Sequence, residues 1–223
     1  VGSRRIRAVL FDSGGVLIRP IGGRWNPRFD FEPTVQKVAP HLTDQDLRRA
    51  IAAGERFLES APADHTPDDY HRAMLHEIGV PPAADLLLDL RRPLDPATVV
   101  EPYPEVPDVL SDLEAIGVRM AVVSDNQPGL QTLHDGLGIA HFFDAYAISA
   151  ELGCTKPDPR MYAHASDSLG LDPAECLYVD DVPQLVTAAI ELGYQGRAVL
   201  RDDSQADQVP TVSDLRALLP LIR

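Results

Sequence analysis

A chain of 223 residues can bury one large core and is close to the length at which a second, smaller module appears. Its composition, 44% hydrophobic and 24% charged, fits a compact globular enzyme and excludes the disordered and fibrous classes. The formal net charge of -14 repels polyanions and argues against nucleic acid or an acidic membrane surface as a partner, so a small anion would need a local cluster of amides, a lysine or a bound cation. No apolar run approaches bilayer length, and the first residues lack the apolar stretch of a secretory signal. Cys154 and Cys176 have neither metal-ligand nor redox spacing. The expectation is a soluble, cytoplasmic protein with reduced thiols and no membrane partner.

In chain order, Ile6 to Phe11 reads as a buried strand that stops at a sharp Asp12-Ser13-Gly14-Gly15 turn. Residues 20–101 then read as helical segments separated by proline-bearing turns, with no second convincing buried strand. Thr43 is a predicted N-cap for a helix carrying Leu47, Ile51, Gly54 and Leu58, and Thr66 precedes another with Tyr70, Met74 and Ile78. After Pro102 the element types alternate. An amphipathic helix with Val106, Val109, Leu110, Leu113 and Ile116 ends at Gly117, and a strand from Val118 runs into Ser124-Asp125-Asn126. A helix around Leu130 to Leu137, a strand near Ala145 to Ser149, a helix from Pro157 to Leu169 and a strand from Cys176 to Val179 follow. Asp180-Asp181, a helix to Leu192, a strand from Arg197 to Leu200 and a last helix near Val212 to Leu219 complete the series. Strand-helix alternation at these lengths implies an α/β fold, a parallel sheet covered on both faces.

Ligands of such sheets bind beyond the carboxyl ends of the strands, and Asp12, Ser124, Lys156 and the Asp180-Asp181 pair all fall there. Lys156 is the more informative because only it and Lys37 are lysines among 20 basic residues. Singly, each motif also reads as an ordinary turn, cap or solvated loop.

The segments Phe11-Asp12-Ser13-Gly14-Gly15-Val16-Leu17, Val122-Val123-Ser124-Asp125, Thr155-Lys156-Pro157-Asp158-Pro159 and Val179-Asp180-Asp181 resemble, in order and spacing, the four motifs of the haloacid-dehalogenase superfamily. The resemblance implies a Rossmann-like three-layer core over residues 1–19 and 102–223, with a mainly helical cap at 20–101. It also implies a phosphatase for a small phosphorylated metabolite. Asp12 would be the nucleophile and form an aspartyl-phosphate, and Ser124 and Lys156 would be catalytic. Ser13, Gly14, Gly15, Ser124, Asp125, Asn126 and Lys156 would surround the substrate, and Mg2+ would be held by Asp12, Gly14 through its carbonyl, Asp180 and Asp181.

Phosphatases of that superfamily usually carry a second Asp two residues after the nucleophile as general acid and base, and this chain has Gly14 there. Losing such assistance costs on the order of 10²–10⁴ in rate. Three readings stay open: a phosphatase whose leaving group needs little protonation or whose proton comes from elsewhere, a metal-independent 2-haloacid dehalogenase, and a weak or inactive binding protein. Leu185, where many relatives carry a polar Asn, adds slight support to the last. His65, His71 and His76 are alternative proton sources in the insert, and Arg24 and Trp25 candidate substrate contacts after Gly22-Gly23. The chain is expected to be a monomer or homodimer.

Overall fold

The structure is a computed structural model that describes residues 5–21, 30–60, 65–92, 95–201 and 209–222. Arg24 and Trp25 lie outside the described residues. The chain divides into two compact units, one of Val1–Ile21 with Val100–Arg223 and the other of Gly22–Val99.

The larger unit is built on a six-stranded sheet in which every neighbouring pair is parallel. Its strands are β1 (Ala8–Phe11), β4 (Arg119–Ser124), β5 (Ala145–Ile148), β6 (Cys176–Asp180), β7 (Gln195–Val199) and β8 (Thr211–Val212), in the spatial order β5-β4-β1-β6-β7-β8. The two shortest remaining strands, β2 (Ile18–Pro20) and β3 (Val100–Pro102), pair antiparallel as a separate ribbon. Central strands are buried on both faces, which is why they read as continuous apolar runs. Ala8, Leu10, Ala121, Val123, Cys176 and Tyr178 pack with Met161, Tyr162 and Ala165 of α8 (Pro159–Ser168) and Val186 and Ala189 of α9 (Pro183–Glu191). The alternate residues Val9, Phe11, Met120, Val122, Leu177 and Val179 are equally buried on the opposite face. Helix α5 (Val106–Ala115) buries Val106, Val109, Leu110 and Leu113, and ends where Gly117 adopts a φ of 76°.

The C-terminus departs from the expected helix over Val212 to Leu219. Thr211 and Val212, both β-branched, instead extend the sheet beside Ala198 and Val199. Asp214 then accepts a hydrogen bond from the Arg216 amide and starts a fresh 3-10 turn at Leu215–Leu218, followed by the single-turn helix α10 (Leu219–Ile222).

The smaller unit has α1 (Phe31–Val38), α2 (Asp44–Ser60), α3 (Pro67–Glu77) and α4 (Ala84–Arg91) around a core of Phe31, Val35, Leu47, Ile51, Tyr70, Met74, Leu87 and Leu90. Both predicted N-caps form. Thr43 exchanges hydrogen bonds with Asp46, and Thr66 makes a capping box with Asp69. Among the described residues no helix is long and apolar enough to cross a membrane.

The crossing of α2 and α3 depends on Gly54. A Cβ there would lie 2.7 Å from the Tyr70 ring and 2.9 Å from the Met74 side chain. Alanine is intrinsically favoured over glycine in a helix by about 1 kcal/mol, yet forcing a methyl group into a filled contact costs about 1–3 kcal/mol. Gly54→Ala is therefore expected to gain nothing or to lose up to about 2 kcal/mol, and Gly54→Val to lose more, as read from urea unfolding midpoints. An alanine variant stabilised by the full helix-propensity gain would show that the contact is not tight.

Candidate active site

Parallel pairing fixes which chain segments meet at the sheet edge. Phe11 is in register with Val122 on one side and Val179 on the other, so the chain emerging from β1 delivers Asp12 between the ends of β4 and β6. Asp180 closes β6, and Ser124, buried, closes β4. The Lys156 Nζ lies 2.8 Å from Asp12 Oδ1 and 2.8 Å from Asp180 Oδ2, and the three side chains are 3%, 12% and 0% exposed. Asp180 is further saturated. Its Oδ2 accepts the Tyr178 hydroxyl, two residues earlier on the same face of β6, and its Oδ1 accepts the Val182 amide at 2.8 Å.

One oxygen each from Asp12, Asp180 and Asp181 lie within 4.8 Å of one another, with Asp181 the exposed member. Asp181 fits only because position 15 has no side chain. A Cβ on Gly15, whose φ is 76°, would stand 2.0 Å from Asp181 Oδ2. Three carboxylates face a single ammonium, and all the donors are hard oxygens. A small divalent cation such as magnesium suits this set, whereas a soft metal would find no sulfur or imidazole in it.

Burial dominates the electrostatics. It pushes the Asp12 carboxyl up to about 6 although Lys156 pulls it down, and Asp180 adds to the rise. Burial also raises Asp181, again reinforced by Asp180. For Lys156 burial acts in the opposite sense, but Asp12 and Asp180 outweigh it and hold the ammonium above the ordinary lysine value. Tyr178 is held well above the usual phenol range by burial and by Asp180, so it remains a donor to that carboxylate.

Several predicted site residues turn out to be occupied locally. Asp125 Oδ1 accepts the Lys156 backbone amide at 2.9 Å, which ties the second motif to the third. The Asn126 side-chain oxygen accepts the Gln127 amide, and its backbone exchanges hydrogen bonds with Ser149 Oγ. The Ser13 hydroxyl is fully buried against His134 Nε2 at 2.9 Å, and Gly14 forms an isolated bridge to Ile18. Of the insert histidines, His71 is buried, while His65 and His76 are exposed; all three belong to the smaller unit.

Two supporting groups have no local sequence signal. His134, on α6 (Leu130–Gly136), is completely buried among Phe143 and Tyr146. Arg201 sends Nε to the Gly15 carbonyl at 3.2 Å, Nη2 to the Val16 carbonyl at 2.9 Å and Nη1 to the buried Glu105 at 2.6 Å. Its guanidinium also lies 3.5 Å from the Tyr103 ring centroid. A lone arginine near the end of a strand carries no motif, and a glutamate after Tyr-Pro reads as surface charge.

The chain belongs to the haloacid dehalogenase-like hydrolases, whose family pattern matches residues 6–193. A phosphoserine phosphatase of Thermus thermophilus is 32% identical over 120 residues, a segment that is 51% of this chain and 48% of that protein, so the match spans about half of each. The phosphatase MT3486 of Mycobacterium tuberculosis is 25% identical over 224 residues, covering 96% of this chain and 95% of its own length. In fold, the L-2-haloacid dehalogenase of Xanthobacter autotrophicus superposes with a TM-score of 0.64 at 21% identity, covering 98% of both chains.

Arg201→Gln should leave Glu105 buried and unpaired and two loop carbonyls without their charged donor, costing about 2–4 kcal/mol in chemical denaturation. A second change, Glu105→Gln, should return part of that loss, and strict additivity of the two would show that the pair is not coupled.

Burial also lowers the His134 imidazole from 6.5 to about 4. Because the folded state takes up its proton later than the unfolded state, stability is full above pH 6.5 and declines as pH falls toward 4, by up to about 3 kcal/mol. Asp12, with its folded value raised, shifts stability the opposite way, so the effect must be read as wild type minus His134→Gln. A difference that stays flat from pH 7 to 4 would contradict the assignment.

Proposed function

We propose that this protein is a magnesium-dependent phosphohydrolase of small phosphorylated metabolites that works through an aspartyl-phosphate on Asp12. The observation that carries the reading is the buried Lys156 ammonium shared between Asp12 and Asp180, with Asp181 beside them. The relatives named as phosphatases support it.

In this reading Lys156 orients the Asp12 carboxylate and lends positive charge to the phosphoryl oxygens as the two anions approach. Asp180, with both oxygens already engaged by Lys156, Tyr178 and Val182, serves to hold the lysine. Asp181, exposed and less engaged, is the better direct metal ligand, together with Asp12 and the Gly14 carbonyl. Bound magnesium would supply Lewis-acid neutralisation of the phosphoryl charge. The Ser124 hydroxyl and the amides of the loop following Asp12 donate to the transferring group. Attack by Asp12 forms its bond to phosphorus as the ester oxygen leaves with the electron pair, and water then releases phosphate.

With Gly14 in place of an acid, the preferred substrates are those whose leaving group needs little protonation, such as an acyl phosphate or a sugar 1-phosphate. His134 does not fill the gap: it is fully buried and its imidazole is held neutral. The dehalogenase reading rests on shared fold alone and would place the anionic substrate beside two further carboxylates.

A phosphorylated-metabolite panel assayed with magnesium and with EDTA tests this directly. Phosphate release should require the metal and fall at least about 10³-fold in Asp12→Asn. Chloride release from 2-chloropropionate in EDTA would establish the dehalogenase instead. A silent wild type whose Gly14→Asp variant hydrolyses phosphate would mark a binding protein that keeps the fold.

A further inference from the structure

The His134 side chain is a fully buried titratable group near the site that the chemistry above leaves unused. It sits between Phe143 and Tyr146, with ring centroids at 5.7 Å from each, and Phe143 in turn meets the Phe11 ring at 6.3 Å. Its Nδ1 lies 3.2 Å from the Tyr146 hydroxyl and its Nε2 2.9 Å from Ser13 Oγ. Among the described residues His134 is the side-chain partner of the Ser13 hydroxyl, and neither His134 nor Ser13 is exposed at all.

Ser13 is the residue through which the nucleophile is anchored. Its carbonyl accepts the amides of Leu17 at 2.8 Å and Ile18 at 3.0 Å, which closes the turn directly after Asp12. Asp12 reaches Lys156, whereas the hydroxyl of the adjacent Ser13 reaches His134 on α6. A twist of Ser13 therefore moves the Asp12 carboxylate.

We infer that His134 is a positioning residue for the nucleophile, acting through Ser13: by fixing the serine hydroxyl it sets the angle at which the adjacent Asp12 is presented to Lys156. The inference rests on the phosphatase reading. His134 never meets the substrate and transfers no proton. Its role is steric and directional, because a buried serine hydroxyl without this partner must turn to find another one, and the turn moves the backbone on which Asp12 stands. Misplacement of a reacting group by about 1 Å is enough to cost on the order of 10²-fold in rate.

The test uses the full chain, magnesium and p-nitrophenyl phosphate, whose phenolate leaves without a proton and so bypasses Gly14. His134→Leu, His134→Gln, Ser13→Ala and the double variant Ser13→Ala with His134→Leu are compared in kcat, KM and thermal midpoint. In His134→Leu and in Ser13→Ala, kcat should fall about 10–100-fold with KM within about threefold, and His134→Gln, which keeps an amide in reach of Ser13, should regain part of kcat. The double variant is decisive. Removing both polar partners should restore part of the thermal midpoint lost in His134→Leu, since the buried Ser13 hydroxyl is gone and only Tyr146 loses a partner, while kcat stays low. Recovery of kcat along with the midpoint, or wild-type kcat in His134→Leu, would reduce His134 to a packing residue and overturn the inference. If His134→Leu does not fold, His134→Gln and Ser13→Ala carry the same comparison. Uptake of beryllofluoride with magnesium, followed by 19F NMR, separates the two levels. A wild type that neither binds it nor releases phosphate defeats the phosphatase reading and the positioning role with it, whereas normal uptake with unchanged variant kinetics defeats the positioning role alone.

Discussion

Two carboxylates, Asp12 and Asp180, are buried at the carboxyl ends of the central strands of a parallel sheet, and the Lys156 ammonium between them is what permits that burial. Stripping water from three charged groups costs several kcal/mol each, and the cost is offset only when geometry and hydrogen bonding are close to complete. Much of the surrounding structure supplies that completeness. Asp125 holds the lysine backbone, Tyr178 and Val182 occupy the remaining valences of Asp180, and the order of β4, β1 and β6 brings the segments to one edge. Losing the ammonium would leave two uncompensated anions, so fold and site are bound to the same contact.

The twin acids divide their work by environment. Asp180 is enclosed and fully hydrogen-bonded, while Asp181 stands open to solvent over the bare Cα of Gly15. Arg201 braces that same stretch by taking the Gly15 and Val16 carbonyls and setting its own charge against Glu105. Two backbone carbonyls of the turn after Asp12 are thus held by one guanidinium.

The legible part of this arrangement is what local pattern can encode. Apolar runs ending in Asp12, Ser124 and Asp180 revealed the strand tips, the Thr43 and Thr66 caps marked two helices, and a lysine in an arginine-rich chain stood out. The three-residue strands β2 and β3 were too short to show a period, and β8 was hidden because two β-branched residues beside an Asp cap read equally well as a helix start. The bracing groups were invisible for another reason: Ser13 and His134 are 121 positions apart, and Arg201 and Gly15 are 186 apart. No spacing rule spans such distances; only the sheet order makes them neighbours.

The scarcity of lysine, which first singled out Lys156, has a practical side. Of the two side-chain amines, Lys156 is 3% exposed and engaged with two acids, whereas Lys37 lies exposed near the end of α1 in the smaller unit. An amine-reactive dye should therefore mark the exposed side chain of the helical unit and spare the buried one before α8, giving a fluorescent handle without any engineered cysteine.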